Sequence, residues 1–85
     1  MLFMVIERFK PENREAMGER FKTKGRMLPE SVIYHASWME TNGASCYQVM
    51  EAPSRDLVDL WIARWSDLVE FEVVPVLTSA EYWRR

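Results

Sequence analysis

The hydrophobic pattern at the start of the chain predicts a β-strand with apolar side chains on both faces. Residues 2–9 are rich in Val, Ile and Phe, and successive side chains of a strand point to opposite faces. The apolar side chains form two sets, with Leu2, Met4 and Ile6 on one face and Phe3 and Val5 on the other. Such a strand is typical of the centre of a covered sheet.

A helix is predicted for residues 12–24. It follows Pro11, and a proline followed by acidic residues is typical of a helix start, where negative charge is favourable. Met17 and Phe21 lie four residues apart and form a thin apolar stripe, so we expect this helix to be half exposed. Gly25 is expected to cap its C-terminal end.

Residues 31–40 and 44–51 are predicted to form a β-hairpin. The Asn42-Gly43 pair between them indicates a two-residue type I′ turn, which needs positive φ at both central residues. This turn sets a register that pairs Met39 with Cys46, Trp38 with Tyr47, Ala36 with Val49 and His35 with Met50.

The predicted register divides the side chains of the hairpin between two faces. One face would carry Tyr34, Ala36, Trp38, Tyr47, Val49 and Glu51. The other would carry Ile33, His35, Ser37, Met39, Cys46, Gln48 and Met50. The first face therefore combines aromatic rings with a carboxylate.

A second helix is predicted to begin after Pro53, with Ser54 as its N-cap. Its apolar stripe recurs at spacings of three and four residues: Leu57, Leu60, Trp61, Trp65 and Leu68. A last strand is predicted for residues 71–77. Pro75 within it cannot donate a hydrogen bond to a neighbouring strand, which indicates an edge position or a bulge. Residues 79–85 would form a polar tail.

The order strand–helix–strand–strand–helix–strand predicts an α+β fold, the ferredoxin-like βαββαβ sandwich, with both helices on one face of an antiparallel sheet. We expect residues 1–85 to form this single domain, with the first and third strands in the centre. The other sheet face would expose Met39, Met50 and apolar residues of the first and last strands. Because soluble monomers rarely expose such a surface, we expect a homodimer that packs sheet against sheet.

The composition narrows the classes of function. Cys46 is the only cysteine and His35 the only histidine, which excludes an intrachain disulfide and argues against zinc, so no metal and no cofactor is expected. A net charge of −2 argues against a nucleic-acid partner. No apolar run approaches the ~20 residues of a membrane span, and the apolar start lacks the basic region of a signal peptide. We therefore expect a cytoplasmic protein without a membrane partner.

The segment Trp61-Ile-Ala-Arg-Trp-Ser-Asp-Leu68, followed by Phe71-Glu-Val and Pro75-Val, resembles the DUF3303 family of uncharacterised small bacterial proteins. Trp38 and Glu51 fit the same family pattern, so the resemblance covers most of the chain. It implies a dimeric α+β barrel, in which two ferredoxin-like sheets close a barrel. Antibiotic-biosynthesis-type monooxygenases, muconolactone isomerases and chlorite dismutases share that fold, and a shared fold does not imply a shared activity.

The candidate pocket residues are His35, Trp38, Tyr34, Tyr47 and Glu51. A carboxylate buried among aromatic rings has a raised pKa, which suits a general acid or base. The histidine has an ordinary pKa near neutrality and is a candidate base. The structural alternatives are a salt bridge at the strand end for the glutamate and a hydrogen-bonded edge position for the histidine.

Other conspicuous side chains have a structural interpretation. Trp61 and Trp65 at helical spacing are interpreted as core packing rather than as a ligand clamp, and Cys46 as a buried, inert thiol. A basic cluster is interpreted as a solvated helix face: Arg20, Lys22, Lys24 and Arg26.

Three functions remain open from the sequence. The first is a homodimer that binds a small molecule in an aromatic-lined cavity between sheet and helices. The second is a cofactor-independent enzyme of the monooxygenase or isomerase kind that uses Trp38, His35 or Glu51. The third is a structural or interaction domain with a filled core and no ligand.

Overall fold

The computed structural model describes residues 1–84 and contains, within them, one antiparallel sheet and its covering helices. The strands are β1 Leu2–Phe9, β2 Ile33–Met39, β3 Ser45–Glu51 and β4 Val69–Val76. The helices are α1 Arg14–Lys24, preceded by a 3-10 turn at Pro11–Asn13, α2 Arg55–Ala63 and α3 Ser79–Trp83. The strand order β2-β3-β1-β4 confirms the ferredoxin-like α+β fold, with β1 and β3 in the centre and β4 at an edge.

The apolar core lies between the sheet and α2. Phe3 and Val5 of β1, Met50 of β3 and Val58 of α2 are at most 1% exposed, and Trp61 of α2 is 3% exposed. Burial of a large apolar side chain contributes about 1.5–3 kcal/mol, so these contacts dominate the stability of the sheet–helix pair. In β1 the buried residues alternate with half-buried ones, which confirms a strand covered on this face.

The apolar stripe of α2 differs from the predicted one in two positions. Val58 is fully buried, whereas Leu60 is 47% exposed. The helix ends at Ala63, and Trp65 is reached through tight turns in which the backbone N–H of Trp65 donates to Ile62 O at 2.9 Å. The buried stripe therefore continues beyond the helix, because the turns keep Trp65 on the same side.

The hairpin loop is longer than the predicted two-residue turn. Its residues 41–44 lie between Glu40 and Ser45, whose backbones are joined by an N–H···O bond of 2.8 Å. Gly43 donates to Glu40 O at 2.8 Å and has a φ of +74°, while Asn42 is not among the described residues with positive φ. The type I′ prediction is therefore wrong, because one positive φ at the glycine is enough to close the longer loop.

The longer loop keeps the predicted register near the turn and loses it farther away. The pairs Met39–Cys46, Trp38–Tyr47 and Ala36–Val49 are confirmed. Beyond them Tyr34 pairs with Met50, so His35 is an extra residue in a β-bulge, and its predicted pairing is wrong. The bulge moves Tyr34 to the helix-covered face and His35 to the other.

The helices also cover the face of the sheet that was predicted to be uncovered. Met50 belongs to the core and Met39 borders the space under α1, so neither lies on the uncovered face. That face, called the open sheet face below, has an apolar centre: Leu2, Met4, Ile6, Trp38, Tyr47, Val49, Val74 and Val76. No helix among residues 1–84 combines the length and the apolar character needed to cross a bilayer.

Candidate functional site

The first helix does not fill the space that it covers. Arg14, Met17, Gly18 and Phe21 follow the i, i+3, i+4, i+7 spacing of one helix face, and all of them border a cavity between α1 and the sheet. None of the described α1 residues is buried. A Cβ atom placed on Gly18 would meet nothing within 4 Å. The thin apolar stripe predicted for this helix therefore leaves a cavity of about 510 Å³.

The cavity combines an apolar wall with a few polar groups. The apolar wall consists of Phe9, Met17, Phe21, Met39, Trp61 and Trp65. The polar groups are contributed by Glu7, Arg14, Arg26, Ser37, Cys46 and Gln48. A cavity of this size and character is typical of small-molecule sites, which measure about 300–1,000 Å³.

Glu7 is the buried acid of the cavity. It lies on the same face of β1 as Phe3 and Val5, and it is 9% exposed. Its carboxyl group forms no hydrogen bond or ion pair with any residue of the described chain. Burial raises its pKa from 4.5 to about 7, and the nearby charge of Arg26 limits the rise. At neutral pH this carboxyl group can both accept and donate a proton.

Arg26 is the cation that faces this acid. Its guanidinium carbon lies 3.8 Å from the centroid of the Tyr34 ring and 5.4 Å from that of Phe21. Cation–π contacts of this kind hold the planar group by its face. Within residues 1–84 the guanidinium has no carboxylate partner inside 4.0 Å. Its N–H groups are therefore left for another acceptor.

The backbone at Arg26 is fixed by both tryptophans of the cavity wall. The indole Nε1 groups of Trp61 and Trp65 donate to Arg26 O at 2.9 and 3.0 Å. Arg64 donates to Met27 O at 2.6 Å, and Met27 has a φ of +56°. The tryptophans are 3% and 5% exposed, so both pack in the core as predicted. Their remaining surface borders the cavity, and their indole groups anchor the loop that presents Arg26.

Replacing Trp61 or Trp65 alone by Phe is expected to remove one hydrogen bond, at a cost of about 1 kcal/mol beyond the change in packing. The double replacement should cost more than the sum, because Arg26 O then loses both donors. Urea unfolding of the four proteins in this cycle measures the coupling. Strictly additive losses would contradict the shared anchor.

Cys46, Ser37 and Tyr34 form a second polar group beside Glu7. The Tyr34 hydroxyl and Ser37 Oγ are 2.6 Å apart, and Ser37 and the Cys46 thiol both border the cavity. Burial, reinforced by the charge of Glu7, raises the pKa of the Cys46 thiol. The thiol therefore stays neutral at physiological pH, and its predicted burial is confirmed.

Four of the predicted pocket residues lie on the open sheet face rather than at the cavity. His35 Nε2 and Glu51 Oε1 are 2.8 Å apart, each with a side chain that is 45% exposed. Trp38 is 58% exposed and Tyr47 is 36% exposed, so the carboxylate is not enclosed by aromatic rings. The bulge at His35 brings the histidine and the glutamate together.

Tyr34 is the one predicted pocket residue on the helix-covered face, where it contacts the cavity residue Arg26 without itself lining the cavity. The same bulge turns its ring to the helix-covered face, where it stacks on Arg26. The prediction of a solvated basic face fails for Arg26, which follows the helix cap and is half-buried. It fails for Arg20 too, which forms two bonds of 2.7 Å to the Asp67 carboxylate. Lys22 and Lys24 are exposed as expected.

Sequence reasoning missed Glu7, Arg26 and Gln48 as candidate site residues. The sequence does contain a signal for Glu7. It follows Phe3 and Val5 at the same spacing of two residues, so it places a charged side chain on an apolar face of a central strand. Arg26 carries no comparable signal, since its contact with Tyr34 depends on a bulge. Within the described part of the chain, no three His, Cys, Asp or Glu side chains come together as a metal ion would require.

Comparison with known proteins places the chain in a family without a described activity. The family model described as a domain of unknown function (DUF3303) matches residues 1–84. The structure of Rv0793 from Mycobacterium tuberculosis has a TM-score of 0.55 at 18% identity, with 94% of this chain and 99% of that one covered. Protein Atu4242 from Agrobacterium tumefaciens has a TM-score of 0.48 at 14% identity, with 93% and 96% covered. A search among curated proteins finds no match. The likeness to Rv0793 concerns the fold alone.

Proposed function

We propose that this chain, which belongs to the DUF3303 family, a domain of unknown function, binds a small molecule in the cavity between α1 and the sheet. We also propose that it forms a homodimer. The observation that carries this proposal is the cavity of about 510 Å³, with aromatic walls and a buried acid next to a cation. A purely structural domain would have a filled interior, whereas a cavity lies between α1 and the sheet.

The attachment of α1 suits a helix that moves to admit a ligand. Polar contacts at its margins hold it: Arg14 donates to Gly43 O at 3.1 Å, and Arg20 binds Asp67. Asn13, just before the helix, donates to Leu68 O at 3.2 Å. Few buried apolar contacts oppose the opening of such an element, so its local unfolding free energy should be low.

Replacing Gly18 by Phe is expected to fill the cavity and to abolish ligand retention. Native mass spectrometry of the protein purified from cells should show a non-covalent small-molecule adduct on the wild type and none on Gly18→Phe. Gly18→Ala is the matched control. It should retain the adduct and be more stable by about 0.5–1 kcal/mol, since alanine is the better helix former. A wild type without adduct, or a Gly18→Phe variant that keeps it, would contradict the proposal.

The proposed partner in the dimer is a second copy of the chain, seated on the open sheet face. Both α1 and α2 cover the opposite face, so the apolar centre of the open sheet face, from Trp38 to Val74, is left uncovered. An apolar patch of this extent marks an interaction surface. Polar contacts lie at its margins, the Arg8–Glu72 ion pair and the hydrogen bond between His35 and Glu51, each at 2.8 Å. A polar rim around an apolar centre is the usual anatomy of an interface.

A cofactor-independent enzyme is the second candidate, and Glu7 is the observation that favours it. A carboxyl group with a pKa of about 7 in a partly closed cavity suits proton transfer at neutral pH. The candidates differ in the fate of the ligand. A binder returns the retained molecule unchanged, whereas an enzyme converts it and loses the conversion in Glu7→Gln.

A further inference from the structure

Of the two cations that border the cavity, Arg14 and Arg26, only Arg26 has a side chain without a hydrogen-bond acceptor or an ion-pair partner among the described residues. The guanidinium of Arg14, which also borders the cavity, donates to Gly43 O at 3.1 Å. The guanidinium of Arg26 contacts two rings by cation–π interaction and forms no ion pair with any of the described residues. The aromatic rings contact the face of this guanidinium and leave the N–H groups at its edge available. These N–H groups can donate two parallel hydrogen bonds to the two oxygens of an anion such as a carboxylate.

We propose that the cavity binds a planar aromatic carboxylate, with the carboxylate on Arg26 and the ring against the aromatic wall of Phe21, Trp61 and Trp65. This inference rests on the proposed binding function and specifies its ligand class. Planarity follows from the wall, because aromatic rings favour stacked or edge-to-face contacts with another ring. The negative charge of the ligand follows from the positive charge of Arg26. The indole groups of Trp61 and Trp65 hold Arg26 in place by donating to its backbone oxygen.

Glu7 adds a pH dependence to this recognition. Its carboxyl group shares the cavity with Arg26, and a bound carboxylate would repel it when it is ionised. Binding of the acid should therefore favour protonated Glu7 and be tighter at pH 6 than at pH 8. The Cys46 thiol on β3 is neutral across this range, because burial raises its pKa.

The remaining elements around the cavity add no further carboxyl, imidazole or thiol group among the described residues. Ser37 and Met39 border it from β2, and the Arg14 guanidinium borders it from α1. The neighbour of Glu7 on β4 is Phe71, and α2 contributes Trp61. The change of affinity with pH should therefore depend on Glu7.

The probes that test the charge are 2-naphthoate and its neutral analogue 2-naphthamide, titrated calorimetrically into the wild type and into Arg26→Gln. The wild type should bind the carboxylate about 10-fold more tightly than the amide. Arg26→Gln should weaken the carboxylate to the level of the amide and leave the amide unchanged. This variant keeps the backbone carbonyl that anchors the loop, and near-ultraviolet circular dichroism verifies its packing.

Two further variants separate the possible failures. Gly18→Phe should abolish binding of both probes, because it fills the cavity. Equal affinity of the wild type for carboxylate and amide would overturn the charged ligand class and leave a binding cavity in place. Absence of binding by both would overturn the aromatic ligand class, whereas the binding function is decided separately by the adduct on the wild type and its loss in Gly18→Phe. Glu7→Gln should bind the carboxylate equally at pH 6 and pH 8, and an unchanged pH dependence would overturn the role of Glu7.

Discussion

Replacing Glu7 by Gln is expected to stabilise the ligand-free protein at pH 8 by about 3 kcal/mol. The carboxyl group has a pKa of about 7 in the folded state and 4.5 as the ordinary value. Below pH 4.5 it is protonated in both states and has no effect. Between pH 4.5 and pH 7 it ionises first in the unfolded chain, so stability falls as the pH rises. Above pH 7 the loss is complete and constant.

The comparison with Gln isolates the charge, because the amide has nearly the shape of the protonated acid. Urea unfolding at pH 4, 6 and 8 should show equal stability at pH 4 and a widening gain for Glu7→Gln above it. Glu70→Gln is the matched control. Its side chain is 65% exposed on the neighbouring strand, so its effect should be small. A Glu7→Gln variant that is no more stable at pH 8 than the wild type would contradict a buried, unpaired carboxylate.

A carboxyl group that lowers stability at the working pH needs a reason to stand in a central strand. Phe3 and Val5, its companions on this face of β1, are at most 1% exposed and contribute only apolar contacts. Sites where local choices conflict with stability are characteristically functional. The cation of Arg26 beside it, itself without an ion pair among the described residues, has the same character. We therefore interpret Glu7 and Arg26 as parts of a single functional site.

The fold was predictable from the sequence because it depends on patterns that act within one element. The doubly apolar β1, the cap at Gly25 and the hairpin near its turn are local features, and the structure confirms them. The motif from Trp61 to Leu68 identified the family, and its two indoles and Asp67 hold the loop at Arg26 and the first helix in place.

The site was not predictable to the same extent, because it depends on distances between elements. The bulge at His35 reverses the faces of two neighbouring residues, and no feature of residues 33–37 indicates it. The cavity arises where α1 stands away from the sheet over Gly18, and a sequence pattern cannot give that separation. Trp38, Tyr47 and Glu51 share one face as predicted, but the helices cover the opposite face, so this set lies on the open sheet face.

Replacing Met4 by Lys is expected to dissociate the proposed dimer. Met4 lies at the centre of the open sheet face, between Val49 of β3 and Val74 of β4. In a symmetric dimer each copy would bring its own lysine to the interface, where a buried unpaired charge costs about 3–5 kcal/mol. The dissociation constant should rise by about 100-fold or more.

The measurement is the mass in solution, which light scattering should give as twice 10.1 kDa for the wild type and as one chain for Met4→Lys at micromolar concentration. Leu60→Lys is the matched control, because Leu60 is an exposed apolar residue on α2, outside the open sheet face. It should leave the dimer intact.

In the monomer the lysine at position 4 can extend its charge into water along the uncovered face, so the fold should survive. A dimeric Met4→Lys, or a monomeric wild type, would show that this face is covered by something other than a second copy. The open sheet face would then be a surface for a different partner, while the cavity on the opposite face would keep its own test.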